Sequence, residues 1–597
     1  MKKIIPLISL LWMAHPATAK ALVPHQLLPA DTVAMITAPN ANALRDALKT
    51  FPLTQFWNDP AMAGFVAVVE KSFEEKFLAP MRERAGGENP GEFLMLAQGQ
   101  VTIAFTLPPK GKQEPGILLL IDSGKKADAL ANKIDEARAK LREKDRKIVE
   151  RDIRGVNFYS VKRPEGDGAP RRRRPEFHVG LSGTLLVVSN NPDEIEKLLL
   201  RQAGGGTQAL EKHTAFARQF KAQFRDASVY GWLDFAAVLE TIVNGLDEAE
   251  APGDAPLQPN ADQILGALGF KDLKSISFSL SDDLYSGELF LEVPERGRRG
   301  LFAMMTPDAE SVAPPPFVGA NVASFTRLRY SPAKIWKSIE DILQELSPEA
   351  GQMIAFLEKA MQAKDPQFKL KEGFIEIFSN DFISIAMPAK GGELEDITSQ
   401  PTIYMIASKK PALTLKAIRN LISFASPDVP KERKFLGRTI YSYELLAALG
   451  GGGDDAQKIH LTTSAGYLVI SLYPEMLEDF LRGPEDDNLR PLSDLPGLKK
   501  AAAQVGGLKS GVLAYDDGKE IFRSAFRVLR NNPDAINQIE EILPPWRGGD
   551  PVDFSWLKFK LLPEFKKVEK YFPIALIGLT SSADGLSFKA HSPPLKN

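Results

Sequence analysis

Apolar residues recur along this chain with two periods, and each period predicts one type of element. Alternation over residues 100–107 and 116–123 predicts β-strands. Spacing of three and four residues predicts amphipathic helices in two later segments. Those helical positions are Ala127, Leu130, Ala131, Ile134, Ala137 and Leu141 in the first segment, and Leu415, Ile418, Leu421 and Ile422 in the second.

The same succession of elements occurs twice, which predicts an internal repeat. Residues 178–234 fall on residues 460–516 without a gap when they are shifted by 282 positions. His178 then matches His460, and Asp234 matches Asp516. Further strands match in the same order: 100–107 with 381–388, 116–123 with 401–408, 155–162 with 437–444, and the closing pair 275–293 with 576–590.

We therefore expect two homologous halves, 22–294 and 317–592, joined by residues 295–316. The joining segment contains three arginines and ends in Pro314-Pro315-Pro316, which is typical of an exposed connection. Strands follow one another more often than a regular βαβ alternation would give. The pattern predicts an α+β fold in which each half has a mostly antiparallel sheet with packed helices.

Residues 1–19 carry the three parts of a cleavable export signal. Lys2 and Lys3 form the positive start, residues 4–13 the apolar core, and Ala17-Thr18-Ala19 the small-x-small cleavage site. A core of about ten residues is too short for a membrane span, which needs about 20. We predict cleavage before Lys20 and a periplasmic or extracellular location, with an uncleaved anchor as the alternative. No transmembrane helix is expected after signal removal.

Composition excludes several classes of protein. The formal charge of -2 over 597 residues lacks the strongly basic footprint of a nucleic-acid binder. The chain has no cysteine, which excludes disulfides, thiol nucleophiles and thiolate zinc sites. Its length exceeds what one hydrophobic core supports and implies at least two domains.

The start of the predicted first half resembles a family of exported bacterial proteins that carry a domain of unknown function. The resemblance rests on Leu28-Pro29-Ala30-Asp31-Thr32-Val33-Ala34 and on Phe56-Trp57-Asn58-Asp59-Pro60, and the layout of residues 185–199 is also similar. It implies export and tandem α+β halves. It brings no activity, cofactor or catalytic residue to this chain.

His178 and His460 are the polar pair that the repeat places equivalently, each on a strand. One interpretation is a ligand or metal site near the axis between the halves. Metal sites need three or four ligands, and only Glu176 stands near either histidine. The interpretation we favour is a hydrogen-bonded strand residue in each half. No metal or cofactor site is predicted.

Two serine motifs resemble catalytic motifs, but each lacks a residue that the catalytic motif requires. Residues 180–184 lack the second glycine of a nucleophile elbow and lie between two strands, which predicts a hairpin turn. Ser331-Pro332-Ala333-Lys334 fits a Ser-x-x-Lys pattern, but the companion Lys-Thr-Gly is absent. We interpret Ser331 as a helix N-cap with Pro332 in the first helical position.

The densest basic run is Arg171, Arg172, Arg173 and Arg174, in a loop between two predicted strands. One interpretation is contact with an anionic surface, and the other is a solvated loop. The leading hypothesis for the whole chain is an exported, non-enzymatic binding or structural protein whose candidate partners are an envelope component or another exported protein. The alternative is an envelope-directed hydrolase with a site assembled between the halves.

If the arginine run contacts anionic surfaces, changing Arg171–Arg174 to serine should abolish co-sedimentation with anionic vesicles at low salt. Each basic residue near such a surface contributes about 1 kcal/mol, which salt screens. The unchanged protein should release the vesicles at high salt. Absence of binding by the unchanged protein at low salt would exclude this role.

Overall fold

The computed structural model describes residues 23–80, 90–107, 115–162, 176–247, 260–347, 349–363, 366, 369–391, 400–425, 430–444, 458–483, 490–532 and 556–595. Residues 1–19 and Arg171–Arg174 lie outside these ranges. The predicted signal and the predicted anionic contact therefore stay predictions. Within the described ranges the chain is an α+β protein.

The strands are β1 (Thr32–Ala38), β2 (Val101–Thr106), β3 (Gly116–Asp122), β4 (Lys147–Ile153), β5 (Val156–Lys162), β6 (His178–Ser182), β7 (Leu185–Ser189), β8 (Val229–Asp234), β9 (Ser275–Leu280), β10 (Ser286–Glu292), β11 (Ser324–Arg329), β12 (Phe378–Ala386), β13 (Thr402–Ser408), β14 (Lys431–Phe435), β15 (Arg438–Glu444), β16 (Lys458–Ser464), β17 (Tyr467–Ser471), β18 (Val512–Asp517), β19 (Ile574–Ser581) and β20 (Leu586–His591).

The α-helices are α1 (Pro24–Leu27), α2 (Ala41–Thr50), α3 (Pro52–Trp57), α4 (Ala63–Phe73), α5 (Pro90–Leu96), α6 (Ala127–Glu143), α7 (Pro192–Gln202), α8 (Thr214–Gln219), α9 (Phe235–Asp247), α10 (Ala261–Ala267), α11 (Leu301–Met304), α12 (Pro332–Leu346), α13 (Ala350–Gln362), α14 (Pro411–Ala425), α15 (Pro474–Arg482), α16 (Leu498–Gln504) and α17 (Gly518–Asn531). Glu74–Leu78, Phe220–Phe224 and Lys371–Ile375 are π-helical turns.

All twenty strands belong to one antiparallel sheet. Its order is β4-β5-β6-β7-β3-β2-β1-β8-β9-β10, then β20-β19-β18-β11-β12-β13-β17-β16-β15-β14. The sequence predicts a separate sheet in each half, whereas β10 and β20 pair and join the two sets of ten. This pairing removes two free edges that would otherwise expose unpaired backbone groups.

The remaining edges, β4 and β14, carry mixed charges. Lys147, Glu150 and Arg151 lie on β4, and Lys431 and Arg433 lie on β14. Charged side chains on an edge disfavour pairing with another chain. Among the described strands, β4 and β14 are the two ends of the sheet.

Two hydrophobic cores cover what we call the front face of the sheet, the face of Met35, Trp232 and Tyr515. In the ten strands from β4 to β10, the core packs front-face side chains against α7 and α8. In the other ten strands it packs them against α15 and α16. On the opposite, back face, α6 covers one end of the sheet and α14 the other.

Helices near the start of the chain pack against its end. Phe56 of α3 and Phe65 of α4 belong to one cluster with Phe526, Tyr571 and Phe572. The Tyr571 hydroxyl donates to the Asp59 carboxylate at 2.6 Å. Full burial of each such side chain stabilises the fold by about 1.5–3 kcal/mol. This cluster and the β10–β20 pairing bind the two sets of ten strands into one body.

The segment 295–316, which composition suggests is an exposed connection, is packed in the structure. Phe302 and Val312 are buried. Arg298 donates to the Val293 carbonyl at 3.0 Å and to the Ser581 hydroxyl at 2.6 Å. Its guanidinium thus ties the end of β10 to the β19–β20 turn, a contact that local composition does not reveal.

The strand pairing can be compared with the sequence match between residues 178–234 and 460–516. His178 pairs with Ser160 and Ser189, and His460 pairs with Ser442 and Ser471, as a shift of 282 requires. Between β8 and β18, the pairing of strands in the structure differs by one residue from the sequence match. Asp234 accepts the Ala237 amide at the start of α9, and Asp517 accepts the Lys519 amide at the start of α17. Asp517 therefore takes the place that the sequence match gives to Asp516.

The β10–β20 pair, which we call the seam, brings Glu288 opposite Lys589. The two occupy corresponding places, because Glu288 faces Ser279 on β9 and Lys589 faces Gly578 on β19. Identical charges here would repel each other. Glu288 instead lies 3.8 Å from the Lys589 ammonium and accepts the Ser587 hydroxyl at 2.5 Å.

Reversing one charge of this pair should destabilise the protein by about 1–3 kcal/mol, because like charges then meet across the seam, and Glu288→Lys also removes the acceptor of the Ser587 hydroxyl. We expect this for Glu288→Lys and for Lys589→Glu in urea unfolding. The double exchange should recover part of the loss. Additive losses in the double variant would contradict a direct interaction across the seam.

Candidate functional site

A row of serines forms a polar floor on the front face of the sheet. Ser275, Ser277 and Ser279 alternate along β9 and are almost completely buried. Glu292 and Glu288 of β10 lie directly opposite Ser275 and Ser279. Buried polar groups of this density are costly unless they are hydrogen-bonded. The floor therefore needs polar partners above it.

The corresponding strand on the other side of the seam lacks this floor. Asp234 pairs with Ser275 on β9, whereas Asp517 pairs with Ile574 on β19. Ile574 and Leu576 therefore stand where Ser275 and Ser277 stand. The polar strip is specific to the first set of strands, and overall sheet architecture does not require it.

Helix α8 and the π-helical turn that continues it, Phe220–Phe224, lie above the floor. Gln223 connects the two layers, because it accepts the Ser277 hydroxyl and donates to Glu288, both at 3.4 Å. A cavity opens at each end of this helical segment. The front cavity, at the start of α8, has a volume of about 650 Å³, and the seam cavity, at its end, has about 400 Å³. π-helical turns occur frequently at functional sites.

His213 and Asp234 form one wall of the front cavity. The His213 Nε2 atom lies 3.4 Å from the Asp234 Oδ2 atom. The His213 Nδ1 atom accepts the Phe216 amide at 3.5 Å and thereby caps α8. Both ring nitrogens therefore face hydrogen-bonding partners. A histidine in this state has no free lone pair with which to act as a general base.

Asp234 is held in its charged form. Burial raises the pKa of its carboxyl. The hydrogen bonds from His213 and from the amides of Ala237 and Ala236 lower that pKa by a larger amount, so the net pKa lies below the ordinary value. A carboxylate that accepts several hydrogen bonds favours ionisation in this way.

Glu292 lies at the bottom of the front cavity, with its side chain only 3% exposed. It accepts the Ser275 hydroxyl at 2.5 Å and forms an ion pair with Arg218 at 3.0 Å. The Arg218 side chain is half exposed, and Lys212 and Lys274 complete the rim. The cavity thus has hydrogen-bonded carboxylates below and basic side chains at its rim.

Ser286, which lines the seam cavity, contacts a histidine from the other side of the seam. The Ser286 hydroxyl lies 2.8 Å from His591 Nδ1. Burial lowers the pKa of His591, so the ring is neutral at pH 7. Glu288, Lys589 and Gln504 line the same cavity. This pairing of a hydroxyl and an imidazole arises only because β10 and β20 are neighbours.

The structure does not bring His178 and His460 together. β6 and β16 lie near opposite ends of the sheet, with the seam between them. His460 Nδ1 is 2.8 Å from the Ser442 hydroxyl, whereas His178 Nδ1 is buried without a hydrogen-bond partner. Burial lowers the pKa of both rings. His460 is thus a hydrogen-bonded strand residue, as the sequence predicts, whereas the Nδ1 atom of His178 is not hydrogen-bonded. The two side chains are too far apart to form a common site at the axis between the halves.

The serine motifs take the structures that the sequence predicts. β6 and β7 form a hairpin through Gly183, which has a φ of 61°. The Ser331 hydroxyl accepts the Lys334 amide at 3.4 Å at the start of α12, and Pro332 occupies the first turn.

Local sequence pattern points to neither His213 nor Glu292 as a site residue. The sequence pattern that indicates a polar strip is the Ser-x-Ser-x-Ser alternation of residues 275–279, since it places three hydroxyls on one face of a strand. Within the described ranges, no group of three or more acidic or histidine side chains could hold a metal ion. No described helix has both the length and the apolar character needed to cross a bilayer.

Comparisons with known proteins add little. No protein-family model matches the chain, and no curated protein matches it. Two solved structures, crystal forms III and I of TP0453, are each 10% identical to it and cover 46% of this chain and 80% of their own, with a TM-score of 0.21. A score this low supports no inference about fold or function.

Asp234→Asn should cost about 1 kcal/mol of unfolding free energy at pH 7, since the amide keeps the α9 cap and loses only the charge. Asp234→Ala should cost about 2 kcal/mol because the cap is lost too. A depressed folded-state pKa stabilises the protein above the unfolded pKa of about 3.9. The difference between the wild type and Asp234→Asn should therefore be constant above about pH 5 and shrink on further acidification. A pH-independent difference would contradict this assignment.

Proposed function

We propose that this chain is an exported binding protein without enzymatic activity, and that the front cavity is its ligand site. The observation that supports binding over catalysis is the state of His213. Because both ring nitrogens are engaged, the cavity has no general base in that imidazole. Export rests on the signal-like residues 1–19, and the binding role on the cavity.

The ligand that best fits the front cavity is a small molecule with a carboxylate or phosphate group. Glu292 accepts the Ser275 hydroxyl and is paired with Arg218, and Asp234 lies 3.4 Å from the His213 imidazole. The outer donors of the half-exposed Arg218 and the ammonium group of Lys274 then remain at the rim to meet an anion, while Lys212 is 3.5 Å from the Glu211 carboxylate. Charge-assisted hydrogen bonds to such groups are among the stronger polar contacts.

We also propose that the two sets of ten strands descend from one duplicated unit. The identical strand order on the two sides of the seam supports this, as do the paired serines around His178 and His460. Divergence is concentrated at β9 and β19, where one copy has serines and the other aliphatic residues. A ligand site acquired by one copy accounts for that difference.

The second candidate function is a hydrolase with its site at the seam, and the Ser286–His591 contact favours it. A nucleophilic serine also needs backbone or side-chain donors for an oxyanion. The neighbouring backbone amides of β10 and β20 are engaged in the sheet. We therefore rank this function below ligand binding.

Calorimetric titration of the full mature chain with inorganic phosphate and with succinate tests the binding proposal. Lys274→Ala should weaken binding of the preferred anion about fivefold, since one exposed charge contact is worth about 1 kcal/mol. The matched control is Lys509→Ala, an exposed lysine outside the cavity. Equal affinities in the two variants would contradict the front cavity as the site.

An ester-hydrolysis assay with p-nitrophenyl acetate separates the two functions. The binding proposal expects that Ser286→Ala leaves any background rate unchanged. A rate that falls at least 100-fold in Ser286→Ala and in His591→Ala would favour the hydrolase instead.

A further inference from the structure

A cavity of about 200 Å³ lies between α6 and the strands β5 and β6, and we call it the α6 pocket. Its wall is largely apolar, with Ile134 from α6, Tyr159 from β5, and Val179 and Leu181 from β6. These four side chains belong to the hydrophobic cluster that α6 forms with the back face of the sheet. Arg138 of α6 also lines the pocket, so an apolar space here meets a guanidinium group.

The Arg138 guanidinium is already paired with carboxylates. It contacts Glu150 of β4 and lies 3.3 Å from Asp135, and only 21% of its side chain is exposed. Its Nε atom, however, is buried and has no hydrogen-bond partner in the described part of the chain. A buried donor without an acceptor is unfavourable, and most such groups in folded proteins have a partner. A molecule in the pocket therefore gains by offering an acceptor and has no unpaired positive charge to neutralise.

The other end of the sheet carries the same group of an arginine, a tyrosine and a glutamate. Tyr441 pairs with Glu432 on β14, as Tyr159 pairs with Glu150 on β4. Arg419 of α14 lies over Tyr441 and donates to Glu432 at 3.2 Å, as the α6 arginine lies over its tyrosine and contacts its glutamate. The two groups can therefore be compared directly.

The two groups differ in how closely they pack. The guanidinium carbon lies 3.8 Å from the centre of the tyrosine ring at Arg419 but 5.4 Å at Arg138. Leu461 stands opposite the tyrosine of the second group and is fully buried, whereas the smaller Val179 stands opposite the tyrosine of the first and is only partly buried. The contact that is closed at one end of the sheet is thus open at the α6 pocket.

We propose that the α6 pocket binds a small uncharged aromatic molecule that carries one hydrogen-bond acceptor. An apolar cavity of about 150 Å³ holds a benzene molecule, so this pocket has room for a ring with a polar substituent. Contacts with the Tyr159 ring and with the Arg138 guanidinium favour an aromatic ligand over an aliphatic one. A charged carboxylate on the ligand would be a third negative group beside Glu150 and Asp135, which favours a neutral ligand.

The α6 pocket is separate from the front cavity, because the two are lined by different residues. The proposal therefore does not depend on the proposed anion ligand.

Fluorine NMR titration of the full mature chain with 4-fluorophenol tests this proposal. We expect a saturable shift of the fluorine signal with the wild type. Val179→Leu places at this position the residue found at Leu461, and it should weaken binding about tenfold or more because the added methylene fills the pocket. The matched control is Val149→Leu, since Val149 precedes Glu150 on β4 and points to the front face. It should bind as the wild type does, and a thermal melt checks that both variants fold.

A second comparison tests the role of the Arg138 Nε donor. Fluorobenzene has the same ring but no hydroxyl, so the wild type should bind it about fivefold more weakly than 4-fluorophenol, as one net hydrogen bond requires. Arg138→Lys keeps the charge that faces Glu150 and removes the Nε donor. This variant should bind the two probes with similar affinity. An unchanged preference for 4-fluorophenol in Arg138→Lys would contradict the assigned hydrogen bond.

Three results would overturn the proposal. One is a wild type that shows no saturable binding of either probe, since water alone then occupies the pocket. Another is wild-type affinity in Val179→Leu, which places the probe elsewhere. The third is tighter binding of 4-fluorobenzoate than of 4-fluorophenol, which contradicts an uncharged ligand. Lys274→Ala should leave 4-fluorophenol binding unchanged, so failure of the front-cavity proposal is distinguishable from failure of this one.

Discussion

The pairing of β10 with β20 is the contact on which the rest of the molecule depends. Each strand ends its own set of ten, and each would otherwise expose an unpaired edge. Once they pair, the chain has one continuous sheet with one front and one back face. The seam cavity and the Ser286–His591 contact exist only because of this pairing.

The two faces of the sheet have different chemistry at its centre. Ser275, Ser277 and Ser279 point to the front, while Phe278 and Leu280 of the same strand point to the back. Alternation along a single strand therefore separates a polar surface from an apolar one by the thickness of the sheet. At this strand the front face is polar and the back face is apolar.

Much of the fold can be predicted from local pattern. The strands 100–107 and 116–123, the helix starting near Ala127 and the hairpin at Gly183 all follow from periodicity and turn chemistry. The candidate sites could not be predicted in this way. His213 and Glu292 are far apart in the chain, and they line one cavity because α8 folds back over β9 and β10. The packing of residues 295–316 could not be predicted either, because Arg298 donates to Ser581, which is 283 positions further along the chain.

The sequence by itself determined the types of the elements, their order, the α+β class and the absence of thiol chemistry, because these depend on residues that are near one another or on composition alone. Tertiary structure decided that the two sets of strands form one sheet, that His178 and His460 stay apart, and that Asp517 corresponds to Asp234. The reason is physical: edge pairing, side-chain burial and cavity formation are interactions between distant segments. Their energies depend on which surfaces meet in space, and no local pattern contains that information.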